Sequence, residues 1–358
     1  MMRDKERREI MSTTTEVKSK YIDPVTHEVL TPTEYRIRQK AKMKKKLGKV
    51  GIGIGLFVIV FGICFIILYP LFVKFSVAIR SQADLYDTTV IYIPKHLSLE
   101  TFNSIWDLVL KDQVATFENN IIINTVWTSL LAAITQTIAC TLVGYGFARF
   151  KFPGKNIVFA LVILCLVVPP QTIQLTYSLH MQNFDFFGIV NYLFCTRVNL
   201  LDSALPFALI GLTAQGYKNG LYIYMIRQNF RNLPKELEEA AYVDGAGSLR
   251  TFAQVMLPSA ISILVSIFLF AFVWQWTDTY YSGVFLENTK VMSKVLNSLA
   301  QTYWVAFKSA LEQGNIPNAL ASQINNIGSI LVAAPLLVLY IFTQRFFVES
   351  VERSGIVG

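Results

Sequence analysis

The chain has 358 residues, of which 53% are hydrophobic and only 16% are charged, and its net charge is +8. A soluble domain of this length carries more charge and fewer apolar side chains, so the composition excludes an ordinary soluble protein and indicates a membrane protein. The basic residues cluster beside apolar runs without interleaved aromatic residues, which argues against nucleic acid as a partner.

The N-terminal part of the chain is polar and basic. We predict a cytoplasmic tail over residues 1–48 and a transmembrane domain over residues 49–358. A solvated tail is favoured over the alternative, a basic helix lying near anionic lipid. The tail is not predicted to be a signal peptide, because the first apolar run begins too late and is too long.

Six apolar runs are long enough to cross the bilayer core, which takes roughly 20 residues of helix. They occupy residues 50–73, 121–147, 157–177, 205–226, 260–284 and 327–347. The first run is apolar on every face, without the alternation of a membrane β-strand. The sequence therefore predicts an all-α, multi-pass protein of the lipid bilayer with six transmembrane helices.

The distribution of lysine and arginine predicts the orientation of these helices, because positive residues are retained on the cytoplasmic side. Lysines crowd residues 40–49 before the first run, and basic residues also follow the second, fourth and sixth runs. Both termini and the loop at 227–258 should therefore face the cytoplasm, with the protein in the plasma membrane.

The loop at 227–258 has the signals of a short helix. Pro234 suits the first turn of a helix that begins near Leu233, and Gly245 can take the left-handed conformation that closes it. Ser248 can cap a second helix that runs through 257–258 into the fifth span. The pattern predicts an amphipathic cytoplasmic helix that docks against a partner, and an ordinary connecting loop is the alternative.

The same loop carries a specific spacing of residues. Glu239-Ala240-Ala241 is followed after three residues by Gly245, and Leu257-Pro258 closes the stretch. This spacing resembles the EAA motif of ABC importer permeases. Residues 50–358 are similar to the maltose-permease-G-like subunits of carbohydrate importers, and the stretches YGFARFKFPGK, VPPQTIQLTYSL and QRFFVESVERSGIVG resemble further parts of that family.

The resemblance implies the type I ABC importer permease fold and a membrane-spanning subunit of an ATP-driven importer of a carbohydrate, specifically an oligosaccharide. The partners it implies are a homologous second permease, ABC ATPase subunits and an extracytoplasmic sugar-binding protein. The residues that it places at the ATPase are Glu239, Ala240, Ala241, Asp244, Gly245, Leu257 and Pro258. Glu239 would pair there with a basic side chain.

The residues of this chain do not form a pattern for catalysis or for a cofactor. Gly154-Lys155 is followed by Asn156 and lacks the earlier glycine of a phosphate-binding loop. The three histidines are scattered, without the spacing that would bring two onto one helical face as metal ligands. We expect that this chain is not an enzyme, that ATP is hydrolysed on separate subunits, and that it holds no metal.

Several polar residues inside the predicted spans are candidates for a translocation path: Pro169, Pro170, Gln171, Gln174, Tyr177 and Lys218. The two prolines must bend or break the third span, either to line a path or only for packing. Gln171, Gln174 and Tyr177 follow at helical spacing and offer groups that can bond sugar hydroxyls. Lys218 is a functional candidate because charge inside a membrane is costly, although a glycine bend that lets it reach water is the alternative.

A transporter driven by an ion gradient is the competing interpretation of the whole chain. Such a protein should show paired half-spans or carboxylates inside the membrane for the coupling ion. The spans offer neither pattern, and the sequence does not identify the sugar.

Overall fold

The computed structural model describes residues 32–111, 120–185, 188–194, 197–216, 218–307 and 315–355. These residues form helices and connections, with isolated bridges between Arg80 and Leu97 and between Phe184 and Val198 but no β-strand. Most of the predicted cytoplasmic tail, residues 1–31, lies outside the described residues. The predicted all-α class is confirmed.

The helices of the described chain are α1 (Pro32–Ala78), α2 (Gln82–Tyr86), α3 (Glu100–Trp106), α4 (Ile121–Arg149), α5 (Lys155–Leu164), α6 (Gln174–Gln182), α7 (Ile189–Phe194), α8 (Leu205–Leu212), α9 (Asn219–Asn232), α10 (Glu236–Val243), α11 (Ser248–Thr251), α12 (Leu257–Ser259), α13 (Ile261–Trp276), α14 (Tyr280–Phe285), α15 (Met292–Phe307) and α16 (Asn318–Gly355). Two π-helical segments, Asp107–Lys111 and Phe252–Met256, and a 3₁₀ turn, Pro170–Ile173, join some of them.

Three of these helices, α1, α4 and α16, are each long and apolar enough to cross a membrane. A fourth crossing is possible if Ser248–Ser259 and Ile261–Trp276, which meet at an angle of 77°, are taken together. The third predicted span is broken between α5 and α6, and the fourth between α8 and α9. The membrane fold is therefore confirmed, whereas the count of six crossings stays a prediction.

The breaks have local causes in the backbone. α5 ends at Leu164, and a helix cannot run on through Pro169 and Pro170, because they supply no N–H to the helix ladder and disfavour helical geometry in the residue before each of them. In the other break, Ala214 and Lys218 have φ values of 55° and 60°, in the left-handed region that L-residues seldom adopt. The third and fourth spans are thus interrupted at comparable places.

The chain divides into two units, Met1–Phe72 and Val73–Gly358. In the first unit, α1 exposes apolar side chains around its circumference, and the rings of Phe57 and Phe61 stack with centroids 5.9 Å apart. In the second unit, α4 is the central helix and packs against α8, α9 and α13. A Cβ on Gly144 would lie 2.6 Å from Cγ2 of Ile226, so the close approach of α4 and α9 requires glycine there.

The core of the second unit forms three clusters of buried side chains. One includes Ile105, Trp276 and Ile324, and another includes Phe207 and Phe285. The third joins α4, α9 and α13 with the segment that follows α11, through residues that include Tyr145, Tyr222, Ile226, Phe230, Met256 and Ile267. This third cluster includes Phe230 and Met256 from the loop at 227–258 and so packs that loop against α4 and α13.

Asp202 fastens two connections of the second unit to each other. Its carboxylate accepts hydrogen bonds from the backbone N–H of Asn288 at 2.7 Å, from the side-chain amide of Asn288 at 2.9 Å and from the N–H of Thr289 at 3.1 Å. Burial opposes ionisation of Asp202, but these hydrogen bonds outweigh it and hold the pKa of Asp202 below its usual range.

Candidate functional site

The predicted docking helix is present as α10. It begins at Glu236, with Lys235 at the N-cap, and Pro234 precedes the cap. The predicted start near Leu233, with Pro234 in the first turn, is therefore wrong, because the chain is still extended at Leu233. Three glutamates occupy the first turn of α10, where their charge complements the positive end of the helix dipole.

Gly245 closes α10 in the way that the sequence predicts. It has φ +79°, the N–H of Ala246 donates to the carbonyl of Ala241 at 3.0 Å, and the N–H of Gly245 donates to the carbonyl of Tyr242 at 3.0 Å. This pair of hydrogen bonds is the Schellman motif. Nothing lies within 4 Å of the place where a Cβ would sit on Gly245, so the position needs glycine for its backbone conformation and not for space.

The helix after Gly245 differs from the prediction in two respects. Gly247, not Ser248, is at the N-cap of α11, and Ser248 is already helical. The chain then passes through the π-helical segment Phe252–Met256 and bends by 77° at Ala260, so it does not run straight into the fifth span. Pro258 lies just before this bend, and its missing N–H weakens the helix there.

The adjacent glutamates Glu238 and Glu239 point in different directions. Oε1 of Glu238 lies 3.3 Å from Nε of Arg149, the last residue of α4, and the two side chains are only 12% and 9% exposed. Oε1 of Glu238 also accepts a hydrogen bond from the hydroxyl of Tyr145 at 3.1 Å. The Arg149 guanidinium donates from Nη2 to the carbonyl of Leu233 at 2.9 Å. Nε of Arg149 is close enough for an ion pair but is not aligned for a hydrogen bond.

Aromatic packing completes this attachment. The ring of Tyr145 contacts the rings of Phe150, Phe230 and Phe252, with centroids 5.7, 5.3 and 4.6 Å away. These rings come from the end of α4, from α9 and from the segment after α11. We call Tyr145, Arg149 and Glu238 the mount, because they tie α10 to the end of α4. Sequence reasoning missed all three, although Tyr145 and Arg149 lie in the YGFARF stretch of the family resemblance.

The outer face of α10 is exposed and mixed in character. Glu239 and Ala240 are exposed, and the apolar side chains of Val243 and Leu249 are 88% and 85% exposed. The other predicted docking residues divide between the two sides: Asp244, Gly245 and Pro258 are exposed, Leu257 is half-buried, and Ala241 is buried. The structure thus presents Glu239 beside exposed apolar groups and turns Ala241 toward the protein.

A second candidate site is a cavity of about 390 Å³ between the broken third and fourth spans. Two predicted path residues, Tyr177 and Lys218, line it together with Gln215, Trp274 and Tyr281. The hydroxyl of Tyr177 donates to Oε1 of Gln215 at 2.7 Å, and Nζ of Lys218 lies 5.4 Å from the centroid of the Trp274 ring.

The remaining path candidates are placed less completely. Pro169 is exposed at the break of the third span. The structure describes the backbone at Pro170, Gln171 and Gln174, whose side chains lie outside the described part. Within the described ranges, no group of three or more His, Cys, Asp and Glu residues could hold a metal ion.

Comparison with known proteins gives a family match and several relatives. Residues 140–353 match the family model of the binding-protein-dependent transport system inner membrane component. The chain is 25% identical over 340 residues to a probable ABC transporter permease protein, YurM, of Bacillus subtilis (strain 168), covering 95% of this chain and 99% of that protein. It is 30% identical over 241 residues to a probable ABC transporter permease protein, PH1036, of Pyrococcus horikoshii, covering 64% of this chain and 72% of that protein.

A solved structure supports the same fold. It is described as a bacterial ABC transporter involved in the import of the acidic polysaccharide alginate, and one of its chains superposes with a TM-score of 0.59 at 19% identity. The match covers 84% of this chain and 98% of that chain. At this identity the likeness establishes the fold alone.

Proposed function

The chain belongs to the family of binding-protein-dependent transport system inner membrane components, and from this premise we propose that it is the permease subunit of an ATP-driven carbohydrate importer. It forms the translocation path with a homologous second permease in the plasma membrane, with both termini in the cytoplasm. ABC ATPase subunits hydrolyse ATP, and an extracytoplasmic binding protein delivers the sugar, an oligosaccharide.

The observation that carries this proposal is that α10 has one glutamate paired inside the protein and an adjacent glutamate exposed on its outer face. The inward glutamate, Glu238, holds the helix to α4 through Arg149 at 3.3 Å, whereas the neighbouring Glu239 is exposed beside the apolar Val243. A helix that served only as a connection would need neither a buried ion pair nor an exposed apolar face. This arrangement suits a helix that a partner grips from outside and that transmits force inward.

The proposed mechanism follows from these attachments. Glu239 pairs with a basic side chain in a cleft of the ATPase, and the apolar groups beside it pack into that cleft. When the ATPase dimer closes, α10 moves as a rigid piece, and the mount carries the movement to α4 while α11 and the π-helical segment carry it toward α13. The coupling free energy equals the difference between the docking free energies in the two states.

The cavity between the broken spans supports a carbohydrate path. Its polar groups include the Tyr177 hydroxyl and the Gln215 amide, and its aromatic side chains include Trp274. Aromatic side chains can pack against the C–H faces of sugar rings, and a small number of polar groups in such a pocket fix the orientation of the bound sugar.

The ion-gradient alternative has less support. The family is defined by dependence on a binding protein, and a gradient-driven transporter would use a carboxylate inside the membrane for its ion. No carboxylate is among the described residues that line the cavity.

Purification of the tagged full-length chain from its native membrane tests the proposal. We expect ABC ATPase subunits and a second permease to co-purify, and we expect ATP hydrolysis by that complex but not by this chain alone. The sequence does not contain the glycine-rich pattern with its lysine that binds nucleotide phosphates. Sugar uptake by the chain without any ATPase subunit would overturn the proposal and favour the ion-gradient alternative.

Charge reversal on α10 tests the docking role. Glu239→Lys should abolish sugar uptake and ATPase co-purification while membrane abundance stays normal, because Glu239 is exposed and contributes little to folding. The control is Gln254→Ala, which removes an exposed hydrogen bond of 2.9 Å with Arg250 on the following segment. Normal uptake by Glu239→Lys at normal abundance would mean that α10 is an ordinary connection.

A further inference from the structure

Lys218 is the charged residue among the described residues that line the cavity. Its ammonium group lies over Trp274, 5.4 Å from the ring centroid, which holds the side chain in the cavity by a cation–π contact. No carboxylate lies within ion-pair distance of Lys218 in the part of the chain that the structure describes. The cavity therefore holds a positive charge whose countercharge is not supplied by those residues.

The backbone around Lys218 strengthens the positive potential. Lys218 is the N-cap of the fourteen-residue helix α9, so the positive end of the helix dipole lies at the cavity. The N–H of Asn219 already donates to the carbonyl of Gly216 at 3.3 Å, and the dipole favours negative charge at this end. Asn219 and Gly220, the first residues of α9, also line the cavity.

The end of α8 lies at the same break, and some of its carbonyl groups are bonded within the turn. Ala214, with φ 55°, donates its N–H to the carbonyl of Gly211 at 3.0 Å, and Gln215 donates to the carbonyl of Ile210 at 2.9 Å. The carbonyls of Ile210 and Gly211, near the end of α8, are thus bonded within the turn. Both Ala214 and Lys218 hold a left-handed conformation that is unfavourable for their residue types, and together they place the lysine at the start of α9 with its side chain in the cavity.

We infer that the cavity selects a carbohydrate that carries an anionic group, a carboxylate or a phosphate, and that Lys218 binds this group. The aromatic side chains of Tyr177, Trp274 and Tyr281 face the sugar ring, and the amide of Gln215 is placed near its hydroxyls. This inference rests on the proposed function, because it names the class of substrate that the same cavity takes.

The test measures sugar binding to the purified complex of this chain with its partner permease and ATPase subunits. The probes are cellobiose, cellobiouronate, which replaces one CH₂OH of cellobiose by a carboxylate, and cellobiose phosphate. Quenching of tryptophan fluorescence reports occupancy beside Trp274, and a Trp274→Phe variant identifies the signal from that residue. The carboxylate and phosphate probes distinguish the two kinds of anionic group.

We expect at least one anionic probe to bind about tenfold more tightly than cellobiose, the ratio that corresponds to about 1.4 kcal/mol. Lys218→Met should reduce this preference to less than about twofold, and Lys218→Arg should retain most of it. Lys155→Met, which changes a lysine outside the cavity, should leave the preference unchanged. Thermal unfolding of each complex, followed in parallel, separates loss of binding from loss of folding.

Two results would overturn the inference: equal binding of cellobiose and both anionic probes to the wild-type complex, or an undiminished anionic preference in a folded Lys218→Met complex. Either result leaves the proposed function intact if the complex still imports a neutral sugar with ATP hydrolysis. Absence of import of any carbohydrate by a complex that hydrolyses ATP would instead contradict the proposed function.

Discussion

The mount beneath α10 provides a sharp test of how this helix is attached. In Glu238→Gln the side chain keeps its size, and its amide oxygen can still accept the hydrogen bond from Tyr145. The change removes the negative charge 3.3 Å from Nε of Arg149. The arginine would then be a nearly buried cation that keeps only its hydrogen bond to the carbonyl of Leu233.

The structure gives an expected magnitude for this change. Removing one partner of a buried ion pair costs about 3 to 5 kcal/mol, because the remaining charge loses its compensation. Glu238 and Arg149 keep 12% and 9% side-chain exposure, and Arg149 keeps one carbonyl partner. We therefore expect Glu238→Gln to lower the free energy of unfolding by about 3 kcal/mol, the low end of this range.

A double-mutant cycle measures the pair directly. Detergent-titration unfolding of the solubilised complex would compare wild type, Glu238→Gln, Arg149→Met and the double variant, and sugar uptake would be measured alongside. The double variant should be more stable than additivity of the single changes predicts, by about 1 to 3 kcal/mol, because no charge is left buried without a partner. Additive losses in the double variant would refute the reasoning, since the two side chains would then act independently.

Three further predictions concern Gly245, the orientation of the helices in the membrane, and the carboxylate of Asp202. Gly245→Val should lower the free energy of unfolding by on the order of 1 to 3 kcal/mol, because valine is strained in the left-handed conformation of this position, and it should reduce uptake. Gly245→Asn should retain uptake, because asparagine tolerates that conformation. Equal uptake by both variants would contradict the backbone argument. In a background whose four native cysteines are replaced by serine, an impermeant thiol reagent applied to intact cells should label Asp87→Cys but not Ser248→Cys, and the reverse pattern would invert the predicted topology. The pKa of Asp202 is lowered in the folded protein, so its ionised carboxylate stabilises the folded state. This contribution is complete above the unfolded pKa of about 3.9 and is lost as pH falls through the folded pKa. The midpoint of thermal unfolding of Asp202→Asn should therefore lie below that of wild type at pH 7 and approach it in acid. A difference between the two midpoints that does not change with pH would contradict the stabilising role of the Asp202 carboxylate.

Local sequence signals predicted much of this protein because they act over a few residues. Long apolar runs have few ways to satisfy their backbone in a bilayer other than as helices, which explains why the all-α membrane class could be predicted. Gly245 could be assigned its role because the closure of a helix by a left-handed residue depends only on its neighbours. The two prolines at 169–170 likewise predicted a break in the third span, because a proline acts on its immediate neighbours.

Contacts between distant parts of the chain decided what those signals could not. Glu238 and Glu239 are identical in type and adjacent, and the packing of Glu238 against Tyr145 and Arg149, about ninety residues earlier, decides which of the two is buried. A glycine bend at Lys218 was an alternative from the sequence, but the left-handed residues in the break are Ala214 and Lys218, which no local pattern predicted, and the helices on either side, α8 and α9, both pack against α4. The position of the cavity charge is also a tertiary property, because Lys218 at the start of α9 meets Trp274 of α13 only when these helices pack together. Electrostatic and packing energies depend on distance in space, and a linear pattern does not contain that distance.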